Sequence, residues 1–267
     1  MGDKWIVGTT DTPYDGDRAE PYASREDVQY ILDQANRVLE PKLMAEEIIG
    51  VYAGLRPLVA NIKSATTTKL SREHTVDRPA PGFVSIAGGK YTTYRVMGKD
   101  AVDRAVIELR RITQDSVTEK LPLVGADGYF ALEQQKERIA QESGIDVGTV
   151  THLLNRYGSL ISEILELIAQ EPKLAKKLDA DLPYIKAEIV YAATHEGART
   201  VDDVISRRTR LAFEAEGHGV HLADEVGALI APVLGWSAKE RKESIAAYEQ
   251  LVDRELAALD ELLEANS

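Results

Sequence analysis

Phe83-Val84-Ser85-Ile86-Ala87-Gly88-Gly89-Lys90-Tyr91-Thr92-Thr93-Tyr94-Arg95 reads as a strand, a glycine turn and the start of a helix. The apolar run ends at two glycines, which let the backbone turn sharply and approach a ligand closely. The residues that follow present free N–H groups at a helix start, where a partial positive charge sits. Lys90 adds a full charge. Tyr94, Met97, Ala101, Ala105 and Leu109 then recur at helical spacing on one face. Strand, turn and helix together form an α/β element, and its turn suits something anionic or electron-rich.

Toward the N-terminus, Lys4 to Thr10 reads as a β-branched strand. The chain starts inside it with almost no leader, so a fragment of a longer protein is expected. Asp11 to Asp17 has the turn chemistry of a loop. Ser24-Arg25-Glu26-Asp27 resembles a capping box, and Val28, Ile31, Leu32, Ala35, Val38 and Leu39 carry a helix to about Leu39, with Pro41 ending it. Ile48 to Leu55 reads as a buried strand closed by Arg56-Pro57. Thr66 to Lys69 reads as a polar loop. Leu70 to Val76 reads as a further strand, separated by Pro79 and Pro81 from the strand at Phe83–Ala87.

Beyond Pro122 the pattern is helical, with helices expected at about 129–142, 147–157, 159–169, 184–196, 201–215, 222–231 and 238–264. Thr200-Val201-Asp202-Asp203 and Ser237-Ala238-Lys239-Glu240 look like N-terminal caps. The last helix carries Ile245, Tyr248, Leu251, Val252, Leu256, Leu259 and Leu263 along one side. The expected fold class is α+β, with a mixed region over 1–124 and a helical domain over 125–267.

Composition excludes several classes. The 267 residues are 44% apolar and 28% charged, as in globular proteins. A net charge of −12 argues against nucleic acid as the main partner. With no cysteine, disulfides, thiolate metal sites and a cysteine nucleophile are excluded. No stretch approaches the ~20 apolar residues that span a bilayer, and Met1 to Lys4 lacks a signal-peptide core. A cytoplasmic protein is expected.

The candidate site residues each have a plainer alternative. Arg56 ends an apolar run between Gly54 and Pro57, where its fork suits a carboxylate or phosphate; alternatively it ties backbone carbonyls. Ser71-Arg72-Glu73-His74 offers a second cation, or the exposed face of a strand. Gly88-Gly89-Lys90 is too short for a Walker loop, which disfavours a triphosphate. Thr92 or Thr93 would bond a ligand edge or cap the helix. Ser206 to Arg210 is a basic cluster beside Asp202, Asp203, Glu214 and Glu216, so internal ion pairs are expected. His195-Glu196 lacks the second histidine of a zinc helix, His218 and His221 lie in a glycine-bearing loop, and no metal is expected. No G-x-G-x-x-G fingerprint occurs.

Several motifs occur in the same order in FAD-dependent glycerol-3-phosphate dehydrogenases of the aerobic, respiratory type. They are Ile6 to Asp11 with Tyr14-Asp15-Gly16-Asp17, Tyr52 to Leu58, Ser71 to His74, and Ala87 to Arg95. Asp203 to Arg210 also resembles the helical C-terminal domain of that family. The resemblance spans essentially the whole chain, but only the C-terminal half of the family. It implies oxidation of sn-glycerol 3-phosphate to dihydroxyacetone phosphate by hydride transfer to FAD, with quinone or oxygen as electron acceptor. It implies that 1–124 is the end of a substrate- and FAD-binding region and that 125–267 is a helical cap. Carried over, Arg56 is the substrate arginine near the reacting carbon. Arg72 is a second substrate arginine, and Lys90 lies close to both flavin and substrate. Gly88, Gly89, Tyr91 and Thr92 cradle the flavin edge. The chain alone is then expected to be colourless and inactive. Homo-oligomers through strand edges, and peripheral membrane association of the full-length enzyme at the inner face of the cell membrane, also follow as expectations. Two alternatives stand beside this reading. One is a helical interaction module over 125–267 without catalysis, and the other is part of a flavin-dependent amine or hydroxy-acid oxidase.

Overall fold

The computed structural model describes residues 4–56 and 73–266. The chain divides into two compact units, one formed by Met1–Gly54 with Val124–Ser267 and the other by Leu55–Leu123. The described residues are mostly helical, with one two-stranded sheet, the α+β composition expected.

The first unit begins with α1, Arg25–Ala35. Its capping box is formed as read: Asp27 N–H donates to Ser24 Oγ at 3.1 Å and Ser24 N–H to Asp27 Oδ2 at 3.1 Å. Partial burial pulls the Asp27 carboxyl upward, yet the bonds from Ser24 hold it below its ordinary value. The helix stops at Ala35, short of Leu39, because the Asn36 side chain takes over the backbone pairing. It donates to the Leu43 carbonyl and accepts the Leu43 N–H, both at 2.8 Å.

The helical run continues with α2, Tyr94–Glu108, in the other unit, and then with α3 Tyr129–Glu133, α4 Lys136–Ser143, α5 Val147–Tyr157, α6 Ile161–Gln170 and α7 Lys186–Thr194. It ends with α8 Leu211–Glu214, α9 Ala223–Leu234 and α10 Ala238–Asn266. Asp146 caps α5 by accepting the Thr149 N–H at 2.9 Å, and Ser237 with Glu240 forms the box at the start of α10. Val150, Leu153, Ile161, Ile164 and Ile185 pack one core around α5 and α6. Ile189, Val226, Ile230, Tyr248 and Val252 pack a second around α7, α9 and α10. Val28 of α1 meets Ala258 and Leu262 of α10 in a third. The apolar side of the last helix is therefore covered within its own unit.

A polar knot sits inside this apolar packing. Glu188 on α7 is fully buried. Its Oε1 lies 2.9 Å from His152 Nε2 and accepts the Tyr157 hydroxyl at 3.1 Å, and its Oε2 accepts the Ile185 N–H at 2.9 Å. Arg156 Nε lies 3.9 Å from the same Oε1 and donates to the Tyr157 oxygen at 3.1 Å. Burial, reinforced by Glu188, pushes the Tyr157 hydroxyl pKa far upward, so it serves as a donor at any ordinary pH.

Four expectations are corrected. Lys4–Thr10 and Ile48–Leu55 form no strand. β-branched residues favour extended backbone, but a strand needs a paired edge, and the second segment bonds a loop instead: the Ile49 carbonyl accepts from Gly217 and the Val51 N–H donates to His218. The expected helix over 201–215 breaks into a π-helical turn at Asp203–Arg208, an extended Thr209 and α8. The Thr209 hydroxyl donates toward the Val204 and Ile205 carbonyls, at 2.7 and 3.1 Å, and takes the place of the next helical N–H. Finally, Pro79 lies inside a strand rather than beyond one.

That strand opens the second unit: β1 Thr75–Ala80 pairs antiparallel with β2 Phe83–Ala87, in register Thr75↔Ala87 and Val76↔Ile86. The ladder is irregular between Asp77 and Ala80, where Pro79 has no N–H to give. α2, Tyr94–Glu108, packs on this hairpin. Arg78 of β1 reaches Glu108 at 2.7 Å, and the Arg95 guanidinium bonds the Thr118 carbonyl. Met97, Ala101 and Ala105 are partly buried as their spacing required, whereas Tyr94 and Leu109 stay exposed. Among the described residues no helix is long and apolar enough to cross a membrane.

Candidate functional site

The glycine turn after β2 is built as its residues demand. Gly88 and Gly89 stand at φ 75° and 83°, a region that L side chains rarely adopt. Space decides Gly89 as well: a Cβ there would lie 2.5 Å from Met97 Sδ and 3.2 Å from His74 Cβ. The turn is thus seated directly on α2 and on the residue just before β1. Gly89→Ala is expected to cost about 1–3 kcal/mol from backbone strain, with overpacking of the thioether added. A denaturant midpoint unchanged by this substitution would contradict the packing.

Beyond the turn, Lys90 leads a 3-10 turn, Tyr91–Thr93, that runs into α2. The Thr93 hydroxyl donates to the Lys90 carbonyl at 3.0 Å and accepts its N–H at 3.3 Å. Thr93 is therefore the capping threonine, and Thr92 is exposed. Lys90 is exposed too, and Tyr91 is 92% exposed. Lysine ammonium, aromatic ring and hydroxyl stand side by side at the mouth of a half-buried glycine turn.

Arg56 is placed in the same unit at the end of the irregular stretch that follows Tyr52, and it is exposed. Arg72 lies outside the described residues. His74 carries a role the sequence pattern missed. Its Nε2 lies 2.8 Å from Asp100 Oδ2 on α2, so the pair ties the base of the hairpin to the helix beneath the turn. The signal was available: Asp100 stands three residues after Met97, hence on the same helix face, and Met97 is the side chain that fills the place of a Gly89 Cβ.

The other candidates resolve into structure. Arg207 pairs with Asp202, and with Asp203 at 3.4 Å. Arg208 Nε donates to the Glu196 carbonyl at 2.7 Å. Within the basic cluster the expected internal ion pairs are thus those of Arg207, while Arg208 bonds a backbone carbonyl. His221 lies 3.4 Å from Asp179 and His218 lies 2.9 Å from Glu255. Among the described residues no group of three metal-ligating side chains occurs.

Residues 116–241 match the family of the C-terminal domain of alpha-glycerophosphate oxidase. Glycerol-3-phosphate dehydrogenase 2 of Mycobacterium tuberculosis is 48% identical over 255 residues, covering 96% of this chain and 43% of that protein. The chain resembles the C-terminal part of these glycerol-3-phosphate dehydrogenases. The mouse mitochondrial glycerol-3-phosphate dehydrogenase is 34% identical over 90% of this chain and 33% of its own length. Among solved structures, the glycerol-3-phosphate dehydrogenase from Bacillus halodurans, complexed with FAD, superposes with a TM-score of 0.76 at 27% identity, over 92% of this chain and 48% of that one. The chain spans less than half the length of the glycerol-3-phosphate dehydrogenases it matches.

Proposed function

We propose that this chain is the C-terminal part of a flavoprotein that oxidises sn-glycerol 3-phosphate to dihydroxyacetone phosphate, with quinone or oxygen taking the electrons. The observation that carries the reading is 48% identity across 96% of the chain to a glycerol-3-phosphate dehydrogenase. In this reading residues 1–124 complete the substrate- and FAD-binding region and residues 125–267 form the helical domain.

The residues at the glycine turn fit the edge of a flavin. Gly88 and Gly89 bring bare backbone to the surface, and Lys90, Tyr91 and Thr92 surround it with a cation, a ring and a hydroxyl, all exposed. Bound FAD would supply the hydride acceptor. The chain's own residues do the rest. Lys90 offsets negative charge at the turn, from the substrate phosphate or a reduced ring. Arg56 donates to the substrate's C2 oxygen, where negative charge develops as the C–H bond breaks, and so favours the transition state over the ground state. Arg72 contributes the second guanidinium for the anionic substrate.

Arg56→Ala in the complete, flavin-loaded protein is expected to cost ~1.5–3 kcal/mol of transition-state binding, the range for a hydrogen bond from a charged group. The loss should be read in kcat/KM for glycerol 3-phosphate. An unchanged kcat/KM would remove Arg56 from the site. The module without catalysis has less support, because the apolar side of α10 is covered by α1 and α9.

A further inference from the structure

His74 and Asp100 lie in the same compact unit as the glycine turn. His74 is the residue before β1, and the pairing Thr75↔Ala87 sets it beside Gly88, where the ladder ends. A Cβ on Gly89 would lie 3.2 Å from His74 Cβ and 2.5 Å from Met97 Sδ. The turn therefore sits against His74 on one side and against α2 on the other.

The His74 ring bridges these two supports. Its Nε2 lies 2.8 Å from Asp100 Oδ2 on α2, one helical turn beyond Met97. A carboxylate only accepts, so Nε2 carries the proton and donates. The neighbouring Lys99 leaves Asp100 to this bond, because its Nζ lies 2.8 Å from Asp103 Oδ2 but 4.0 Å from Asp100 Oδ1. A closed ring results. The ladder joins His74 to the strand that enters the turn, the chain runs through Gly88, Gly89 and Lys90 into α2, and the His74–Asp100 bond joins α2 back to the base of β1. Glycine has no side chain to hold it at one φ, so the turn's shape depends on how this ring is closed. Lys90 leaves the turn extended, at φ −134° and ψ 153°.

We propose that His74 is a positioning residue for Gly88-Gly89-Lys90, acting through Asp100. It holds the turn that the flavin edge and the anionic substrate would meet, and this inference rests on the function proposed above. The two side chains are 18% and 40% exposed, and ion pairs this open to water add little to global stability. Groups at a reacting centre, in contrast, are sensitive to displacements of ~1 Å. Loss of the pair therefore acts on the turn, the flavin and turnover far more than on folding.

His74→Leu and Asp100→Ala break the bond from its two ends. His74→Gln keeps it, because the glutamine amide nitrogen reaches the place of Nε2 and donates to Asp100. In the complete, flavin-loaded protein, kcat/KM for glycerol 3-phosphate per bound flavin is expected to fall about tenfold or more in the first two and to stay within about threefold of the parent in His74→Gln. The visible flavin bands should be displaced in the first two alone. Hydrogen exchange at the Lys90 amide, which bonds the Thr93 hydroxyl, should accelerate in the same two. The double variant should be no worse than either single one, since both remove one bond. If His74→Leu does not accumulate, Asp100→Ala against His74→Gln carries the comparison. Parent-like kcat/KM and flavin bands in Asp100→Ala overturn the proposal, as does a glutamine variant as impaired as the leucine one, or losses that multiply in the double variant. A lowered thermal midpoint with unchanged turnover per flavin also overturns it, since a purely structural pair would behave so. A parent protein that turns over no glycerol 3-phosphate overturns the functional reading alone, and exchange at Lys90 then still decides whether His74 holds the turn.

Discussion

Glu188→Ala is expected to destabilise the helical unit by about 3–5 kcal/mol, the range for breaking a buried polar pair by removing one partner. The carboxyl group is the common acceptor for His152, Tyr157 and the Ile185 N–H, with Arg156 beside it. Deleting it strands several buried donors at once, and each unsatisfied group costs about 1–3 kcal/mol. The neighbours cannot turn to water, because Tyr157 and Ile185 are themselves buried. Glu188→Gln should cost less, since its amide oxygen still accepts one of these bonds. Guanidinium denaturation followed by far-UV circular dichroism measures both. A loss below about 1 kcal/mol for the alanine variant would mean that the cavity fills with water, which can satisfy stranded groups, and that the knot contributes little.

Gly158→Ala should be comparably severe, for a steric reason. Gly158 joins α5 to the short turn before α6 at φ 57°, ψ −131°, a conformation that costs other residues about 1–3 kcal/mol. An added Cβ would sit 1.9 Å from the Gly125 carbonyl oxygen. That oxygen accepts the Ser159 N–H at 2.8 Å, so it cannot move aside without breaking the bond that ties residue 125 to the α5–α6 junction. Overpacking adds about 1–3 kcal/mol. The expected result is a thermal midpoint many degrees lower, or protein that does not accumulate. A variant as stable as the parent would show that residues around 125 are not held against this junction. The Gly125 Cβ position meets the Tyr157 carbonyl at 2.4 Å in the same way, so neither glycine of the pair can be replaced alone.

Local signals were read well. The Ser24–Asp27 and Ser237–Glu240 boxes, the strand at Phe83–Ala87 and most of the helical segments depend on residues within one or two turns of each other, and spacing reports them directly. The readings that failed depend on distant partners. Ile48–Leu55 has the composition of a strand, but its backbone groups meet a loop about 167 residues further on. The helix expected at 201–215 fails because the Thr209 hydroxyl competes for carbonyls that a helix would use.

The candidate site divides in the same way. Glycine permissiveness, the charge of Lys90 and the fork of Arg56 are properties of single residues, so the expectation that an electron-rich ligand suits the turn comes from sequence alone. It also carried the resemblance to glycerol-3-phosphate dehydrogenases, because motifs kept in order point to relatives without any knowledge of contacts. Tertiary structure alone decided that Thr93 caps and Thr92 is exposed, and that His74 and Asp100 brace the turn. It alone decided that Glu188 gathers buried donors and that His218 accepts the Val51 N–H. Each of these is a pairing of groups whose separation along the chain says nothing of their distance in space, and hydrogen-bond geometry, at about 3 Å, is set only once the backbone has folded.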